Sequence, residues 1–260
     1  MSNNSLSLEN KVAIVTGGSR GIGAGIVETL ANRGAKVAIT FTSESSKDAT
    51  EQLVKKIKDL GTSADAITIQ ADLRDIASAK HIVDTTVKAF GPTIHILVNN
   101  AGCGGAVKSL GTSTIEDYND VFDVNVRAVF FMGEAVAPHL PNKGGRIINI
   151  GSILGRKGFA QFPLYCASKA AIEGFTRCWA AELGHQGHTV NQVNPGSVDT
   201  DMLREAISDE FLQVMRNETP FEHRIGLTSD ISEVVGFLVE DRSQWITGQT
   251  ISVSGGMTMY

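Results

Sequence analysis

The chain of 260 residues carries 27 glycines, and 42% of its residues are hydrophobic, so one large domain can bury its own core without crosslinks. Cys103, Cys166 and Cys178 lack C-x-x-C spacing, and His185 and His188 have no third ligand near them in sequence, which excludes a disulfide scaffold and leaves no metal expected. A net charge of −5, with acids and bases mixed along the chain, removes a basic stripe for nucleic acid or anionic membrane and leaves a small neutral or anionic substrate.

Residues 1–9 are polar and lack the pattern of a secretory signal, and no apolar run approaches the roughly 18–20 residues that cross a bilayer. With an odd cysteine count suited to a reducing compartment, this reads as a soluble cytoplasmic protein with a flexible N-terminus over 1–9. Strands are expected over 11–16, 36–41, 64–70, 94–98, 145–150, 188–193 and 249–253, separated by helical patterns. Seven strands alternating with helices predict an α/β fold, a parallel sheet with helices on both faces, in a single domain spanning 1–260.

The first strand runs into Thr16-Gly17-Gly18-Ser19-Arg20-Gly21-Ile22-Gly23 and then a helical pattern over 22–32. A strand, a glycine turn and a helix N-terminus bring backbone N–H groups and the positive end of a helix dipole toward a pyrophosphate. The G-x-x-x-G-x-G spacing departs from the G-x-G-x-x-G fingerprint, and a tight connection without a ligand is the alternative. The second strand ends in Ile39-Thr40-Phe41-Thr42-Ser43, with no acid for a ribose, and Glu44 is expected to open the next helix behind Ser43. Asp72, followed by Leu73, ends the third strand, where an N-cap for the next helix is the plain reading. Asn99-Asn100-Ala101-Gly102 closes the fourth, where it can satisfy backbone groups and turn the chain.

Asn125 lies within Asp123-Val124-Asn125-Val126-Arg127, either as a local helix hydrogen-bonder or as a site group, and Ser152 follows the fifth strand as a turn cap or a ligand contact. Thirteen residues later, Tyr165-Cys166-Ala167-Ser168-Lys169 sets a phenol and an ammonium at i and i+4. That spacing puts them on one helix face with Cβ atoms about 5–6 Å apart. A free tyrosine has a pKa of about 10, too high to exchange protons readily near neutrality. A cation at ~4 Å would favour the phenolate by roughly 4 kcal/mol, before the opposing cost of desolvation. In isolation the pair is equally a surface Tyr and Lys on an amphipathic helix.

The glycine turn, Asp72, Asn99-Asn100-Ala101-Gly102, Asn125, Ser152, Tyr165-x-x-x-Lys169 and Pro195-Gly196 stand in one order, and over residues 8–257 the chain resembles the short-chain dehydrogenase/reductase family. The resemblance implies a doubly wound Rossmann sheet with a nicotinamide across the carboxyl ends of its strands. In that reading Ser152 holds the substrate carbonyl oxygen and Tyr165 gives that oxygen a proton as hydride arrives. Lys169 binds the nicotinamide ribose and lowers the Tyr165 pKa, while Asn125 holds a water that links Lys169 to solvent. The implied cofactor set begins with Gly17, Ser19, Gly21, Ile22 and Gly23 at the turn and Asp72 with Leu73 at the adenine. Asn99, Ala101 and Gly102 join it in a partly structural loop, and Pro195, Gly196, Val198 and Thr200 close over the nicotinamide amide and pyrophosphate. Arg20 would pair with a 2′-phosphate, with hydroxyls of Thr42 and Ser43 beside it, so NADP(H) is expected over NAD.

Residues 201–221 are the expected substrate lid, with Met202, Leu203, Phe211, Leu212 and Met215 supplying either its apolar face or ordinary core packing. Phe159, Phe162, Cys103 and residues 257–260 are further pocket candidates, pointing to a medium-sized, partly apolar or aromatic ketone. The expected activity is NADPH-dependent reduction of such a small molecule to a secondary alcohol, with specialised metabolism as a setting. A 3-oxoacyl-carrier-protein reductase is the enzymatic alternative, but Pro138, His139 and Gln186 leave few cations for an acidic carrier. An NADP-binding scaffold or sensor is the alternative of another class, disfavoured by the intact Ser152, Tyr165 and Lys169. The resemblance also implies a homotetramer packed through the helices around Asn125 and Tyr165, with a dimer as the alternative.

Overall fold

The structure, a computed structural model, describes residues 6–260. The first half runs β1 (Val12–Val15), α1 (Gly21–Asn32), β2 (Lys36–Phe41), α2 (Lys47–Lys58), β3 (Asp65–Gln70), α3 (Ala77–Phe90) and β4 (Ile96–Asn99). Then come α4 (Ile115–Phe122), α5 (Ala128–Val136), β5 (Arg146–Ile150), α6 (Leu154–Lys157) and α7 (Pro163–Leu183). The chain finishes with β6 (Thr189–Pro195), α8 (Asp201–Ala206), α9 (Asp209–Glu218), α10 (Thr228–Leu238) and β7 (Thr250–Val253). The strands form one parallel seven-stranded sheet, as the alternating pattern predicts, and they pair in the order β3-β2-β1-β4-β5-β6-β7.

The central strand β1 is apolar and buried along its whole length because both faces of the sheet are covered. Successive residues point to opposite sides. Ala13 and Val15 therefore enter a core made with Ile26 and Leu30 of α1 and Ile231, Val235 and Leu238 of α10. Ile14 enters the other core, with Ile82 of α3, Val129 and Met132 of α5, and Ile172 and Trp179 of α7.

Strand order reverses at β1, which lies between β2 and β4, so the loops leaving β1 and β4 part to opposite faces and open a crevice at their carboxyl ends. The loops after β5 and β6 border the same crevice. On the opposite rim, where helices return to strands, Gly61 (φ 66°) and Gly91 (φ 97°) take the left-handed turns before β3 and β4, with open space where a Cβ would stand.

Leu8 is 1% exposed and its N–H bonds the Arg33 carbonyl at 2.8 Å, which anchors the described end of the stretch expected to be flexible, while Ser7 and Glu9 are exposed; residues 1–5 of that stretch lie outside the described residues. The sixth strand runs on to Pro195, because Asn194 and Pro195 pair with Ser252 and Val253 of the edge strand β7, a long-range pairing that local sequence does not announce.

Candidate active site

The glycine turn between β1 and α1 is shaped by what it cannot hold. A Cβ at Gly23 would overlap the Gly17 carbonyl oxygen and the Asn100 side-chain nitrogen. Gly17 and Gly21 have φ of 61° and 56°, in the left-handed region that favours glycine. Asn100 Nδ2 donates to the carbonyls of Thr16 (2.9 Å) and Gly17 (3.0 Å), while Thr16 Oγ1 accepts from the N–H groups of Asn100 and Ala101. The turn and the loop after β4 are thus tied reciprocally. Arg20 stands at the N-cap of α1 without a side-chain cap bond, and no acid occupies the first turn, so the amide end of that helix keeps its positive field. Ser19 is half-buried and Arg20 exposed in this turn, while Ile22 packs against the core beneath it.

At the end of β2, Thr42 and Ser43 are exposed, and Ser43 Oγ lies 2.9 and 3.1 Å from the hydroxyls of Ser45 and Ser46. Glu44 opens a short 3-10 turn and is engaged by Lys47 at 3.2 Å. Asp72 does not cap α3, which begins five residues later; the Arg74 guanidinium grips its carboxylate and holds its pKa below the usual range. Leu73 is buried in the core, which leaves only its backbone for a ligand. Asn99 is turned into the sheet, 3% exposed, and donates to Asn149 Oδ1 at 2.9 Å, so its side chain links β4 to β5 and does not face the crevice. Ala101 and Gly102 remain at the crevice, half-buried, and a Cβ at Gly102 would stand 3.2 Å from both Lys169 Nζ and Asn125 Oδ1.

On the far wall, Pro195 ends β6 and its carbonyl accepts from Ile153 N–H at 3.1 Å, which fixes the loop that follows Ser152. Gly196 abuts Ser254, Val198 is buried and bridged to Gly226, and Thr200 caps α8 beside Gly21. The loop after β6 therefore reaches across to the glycine turn.

Ser152, Tyr165 and Lys169 converge between these walls. The i, i+4 spacing on α7 places Lys169 Nζ 5.8 Å from the centre of the Tyr165 ring, on the same helix face as expected. Lys169 is 4% exposed and donates to the Ile150 carbonyl at 2.9 Å; burial brings its pKa down to about 8. Burial also pushes the Tyr165 phenol up, and the neighbouring Ser152 hydroxyl only partly opposes this. The expectation of a lowered phenol is thus corrected: desolvation is the largest influence on the group, and the Ser152 hydrogen bond alone opposes it.

Asn125 is held firmly by its side chain. It lies in a π-helical turn, Asp123–Arg127, with its side chain fully buried. Its Oδ1 accepts from Cys103 N–H, and its Nδ2 donates to the Cys103 carbonyl and to Ser168 Oγ at 2.9 and 3.0 Å. Both amide hydrogens are spent, so the side chain anchors walls of the site and is not free to hold a water as a donor. Ser168, which sequence reasoning passed over, carries this contact back to the Tyr165 carbonyl at 2.8 Å; its i+3 spacing from Tyr165 was the available signal.

Three aromatic rings edge the opening. Phe159 lies 5.6 Å from Phe162 and meets Phe211 of α9 edge-on at 5.9 Å. Within 201–221, Leu212 is buried, Met215 Sδ accepts from Ser197 Oγ, and Met202 is exposed, so these residues divide between packing and surface. Burial raises the Cys103 and Cys166 thiols, which makes both poor nucleophiles.

A family model described as Enoyl-(Acyl carrier protein) reductase matches residues 17–258. The dehydrogenase OXI1 of Cochliobolus heterostrophus is 46% identical over 228 residues, which cover 86% of this chain and 97% of that protein. The hydroxynaphthalene reductase arp2 of Aspergillus fumigatus is 40% identical over 259 residues, covering 95% and 92% respectively. Among solved structures, a blue fluorescent protein from a metagenomic library, in complex with NADPH, aligns with a TM-score of 0.89 at 40% identity, covering 97% of this chain and 100% of that one. Agreement of fold, motif order and relatives over nearly the whole length leads to one conclusion: the chain belongs to the short-chain dehydrogenase/reductase family of oxidoreductases.

Proposed function

We propose that the protein reduces a ketone to a secondary alcohol, with NADPH as hydride source and Tyr165 as proton donor. The observation that carries this reading is the convergence of Ser152, Tyr165 and Lys169 beside the uncapped N-terminus of α1. NADPH, when bound, supplies the hydride for the carbonyl carbon. Gly17, Gly21 and Gly23 let Ala101, Thr200 and Asn100 pack closely on the turn, and the N–H groups at the start of α1 would take a pyrophosphate. Arg20, with the hydroxyls of Thr42, Ser43, Ser45 and Ser46, would hold a 2′-phosphate, since Glu44, which follows Ser43 in sequence, is engaged by Lys47.

Ser152 and Tyr165 present two hydroxyls to one carbonyl oxygen. Electron density moving onto that oxygen draws the Tyr165 proton, and the new phenolate forms beside the Lys169 ammonium. The phenol, protonated near neutrality, is the proton source, and Lys169 offsets the charge that the transfer leaves behind, which counters the effect of burial on the donor. Asn125 and Ser168 would hold the helix and the Cys103 loop in register around this exchange.

Phe159, Phe162 and Phe211 favour a flat or aromatic ketone, and the likeness to a hydroxynaphthalene reductase supports that class in specialised metabolism. The family model's description supports a second reading, a carrier-bound acyl substrate. Against it, cations near the opening are already paired: Arg127 with Asp123, Arg156 with Glu173, and Lys157 with Glu218. Residues 201–221 would form the lid. A homotetramer fits the stacked Phe175 and Trp179 with the exposed Phe130 beside them, and a cytoplasmic setting fits the unpaired cysteines. No helix among the described residues is long and apolar enough to cross a membrane.

Purified protein is to be given NADPH or NADH with free ketones, diketones, aromatic polyketide ketones and acyl thioesters, while cofactor oxidation is followed. NADPH-selective turnover of free ketones is expected, and Tyr165→Phe should lower kcat by about 10²–10⁴-fold with nucleotide affinity retained. Undiminished turnover in the variant would refute Tyr165 as donor, and turnover of carrier thioesters alone would favour the second reading.

A further inference from the structure

Four side chains outside the reacting trio close into a ring behind it. Glu173 of α7 is 7% exposed and takes Arg156 Nε on both carboxylate oxygens, at 2.8 and 2.9 Å. Asn194 of β6, fully buried, directs its Nδ2 to Glu173 Oε1 at 3.5 Å and to the Tyr260 hydroxyl oxygen at 3.2 Å. The Tyr260 ring in turn lies under the Arg156 guanidinium, 4.4 Å from its centre, which completes the circuit. A branch runs inward, from Gln192 Nε2 to Asn194 Oδ1 at 2.7 Å and to the Lys169 carbonyl at 3.4 Å.

Three of the four members are near neighbours in sequence of a group proposed to act. Arg156 stands four residues after Ser152, Glu173 four residues after Lys169, and Asn194 directly before Pro195-Gly196. The elements that carry these groups leave the sheet in different directions, and nothing in local sequence fixes their relative position. There is little slack at the centre of the ring: a Cβ at Gly151, just before Ser152, would overlap the side chains of Asn194 and Gln192.

We infer that Tyr260 is a positioning residue for the reductase site: by closing the ring with Arg156, Glu173 and Asn194, it holds Ser152, α7 and the loop after β6 in their working arrangement. This rests on the proposed reduction at Tyr165. Tyr260 touches none of the reacting groups, and at 55% exposure it is not needed to fill a core, so loss of its side chain should disturb alignment before it disturbs folding.

The test compares wild type, Tyr260→Phe, Tyr260→Ala, Arg156→Ala and the Arg156→Ala/Tyr260→Ala double variant with NADPH and the best free ketone. Misplacement by a fraction of an ångström predicts a fall in kcat of about tenfold for Tyr260→Ala, with KM for NADPH within about twofold. Tyr260→Phe, which keeps a ring under Arg156, should recover most of that loss. The double variant should lose no more than the worse single variant, as members of one unit do. Wild-type kcat in Tyr260→Ala, or losses that multiply in the double variant, overturn the inference. Amide exchange over residues 152–157 and 165–173 is measured in parallel on wild type and Tyr260→Ala. Faster exchange in both segments is expected, and unchanged exchange overturns the inference even where wild type reduces no ketone, an outcome that would sink the reductase reading separately.

Discussion

At Lys169, catalysis and stability pull in opposite directions. Burial lowers its pKa from 10.5 to about 8, so between those values the unfolded chain binds a proton that the folded protein has released. Stability therefore rises with pH across that window, and below about 8 the buried cation costs the ligand-free fold about 3 kcal/mol. Replacing the ammonium by a methionine removes that cost and leaves the Ile150 carbonyl without its donor, an offset of about 1 kcal/mol. Lys169→Met should then melt higher than wild type at pH 7, by about 2–4 °C for each kcal/mol recovered, and should lose the rise in melting temperature above pH 8. A series of thermal melts from pH 6 to about 10.5 checks both signs. In the proposed reduction, wild-type kcat should fall as pH passes about 8, because the cation beside the developing phenolate disappears. Tyr165 and Lys169 were legible as a pair from their spacing, but the direction of the Tyr165 shift was not. Sequence gives the charge of a neighbour and not how deeply the tyrosine itself is buried.

Among the elements, α1 shows how much of a cofactor cradle can be written into a turn. Thr16, the glycines and an acid-free first turn were all visible, and the structure adds that Asn100 ties the carbonyls of Thr16 and Gly17 to the loop after β4. Gly23→Ala should be poorly tolerated, since its methyl would overlap that carbonyl and that amide together. Overpacking of this kind costs about 1–3 kcal/mol, and the displaced turn should weaken NADPH binding by at least about tenfold, as read by titration of nucleotide fluorescence. The π-helical turn at Asn125 was not legible. It depends on hydrogen bonds to Cys103 and Ser168, which stand 22 residues before and 43 after it.

For the molecule as a whole, the rhythm of seven strands was readable because strands packed between helices are short runs rich in β-branched residues. The order in which the strands pair was not legible from their own sequences, because it is set by contacts between segments far apart in the chain. What sequence could not show is the set of contacts that join distant segments, such as Arg156 with Glu173 or Asn99 with Asn149, since neither pair has a spacing rule behind it. The parallel sheet has a further consequence. Every strand starts on one rim and delivers its carboxyl end to the other, so the molecule has a working side and a service side. The turns at Gly61 and Gly91 belong to the service side and face open space. A short Gly-Ser insertion at either turn should leave nucleotide affinity unchanged and melting within a few degrees, as loop-tip insertions generally do. Reporter peptides or surface tethers can therefore be spliced in there, and the same rim offers lineages of this protein room to lengthen without altering what the opposite rim recognises.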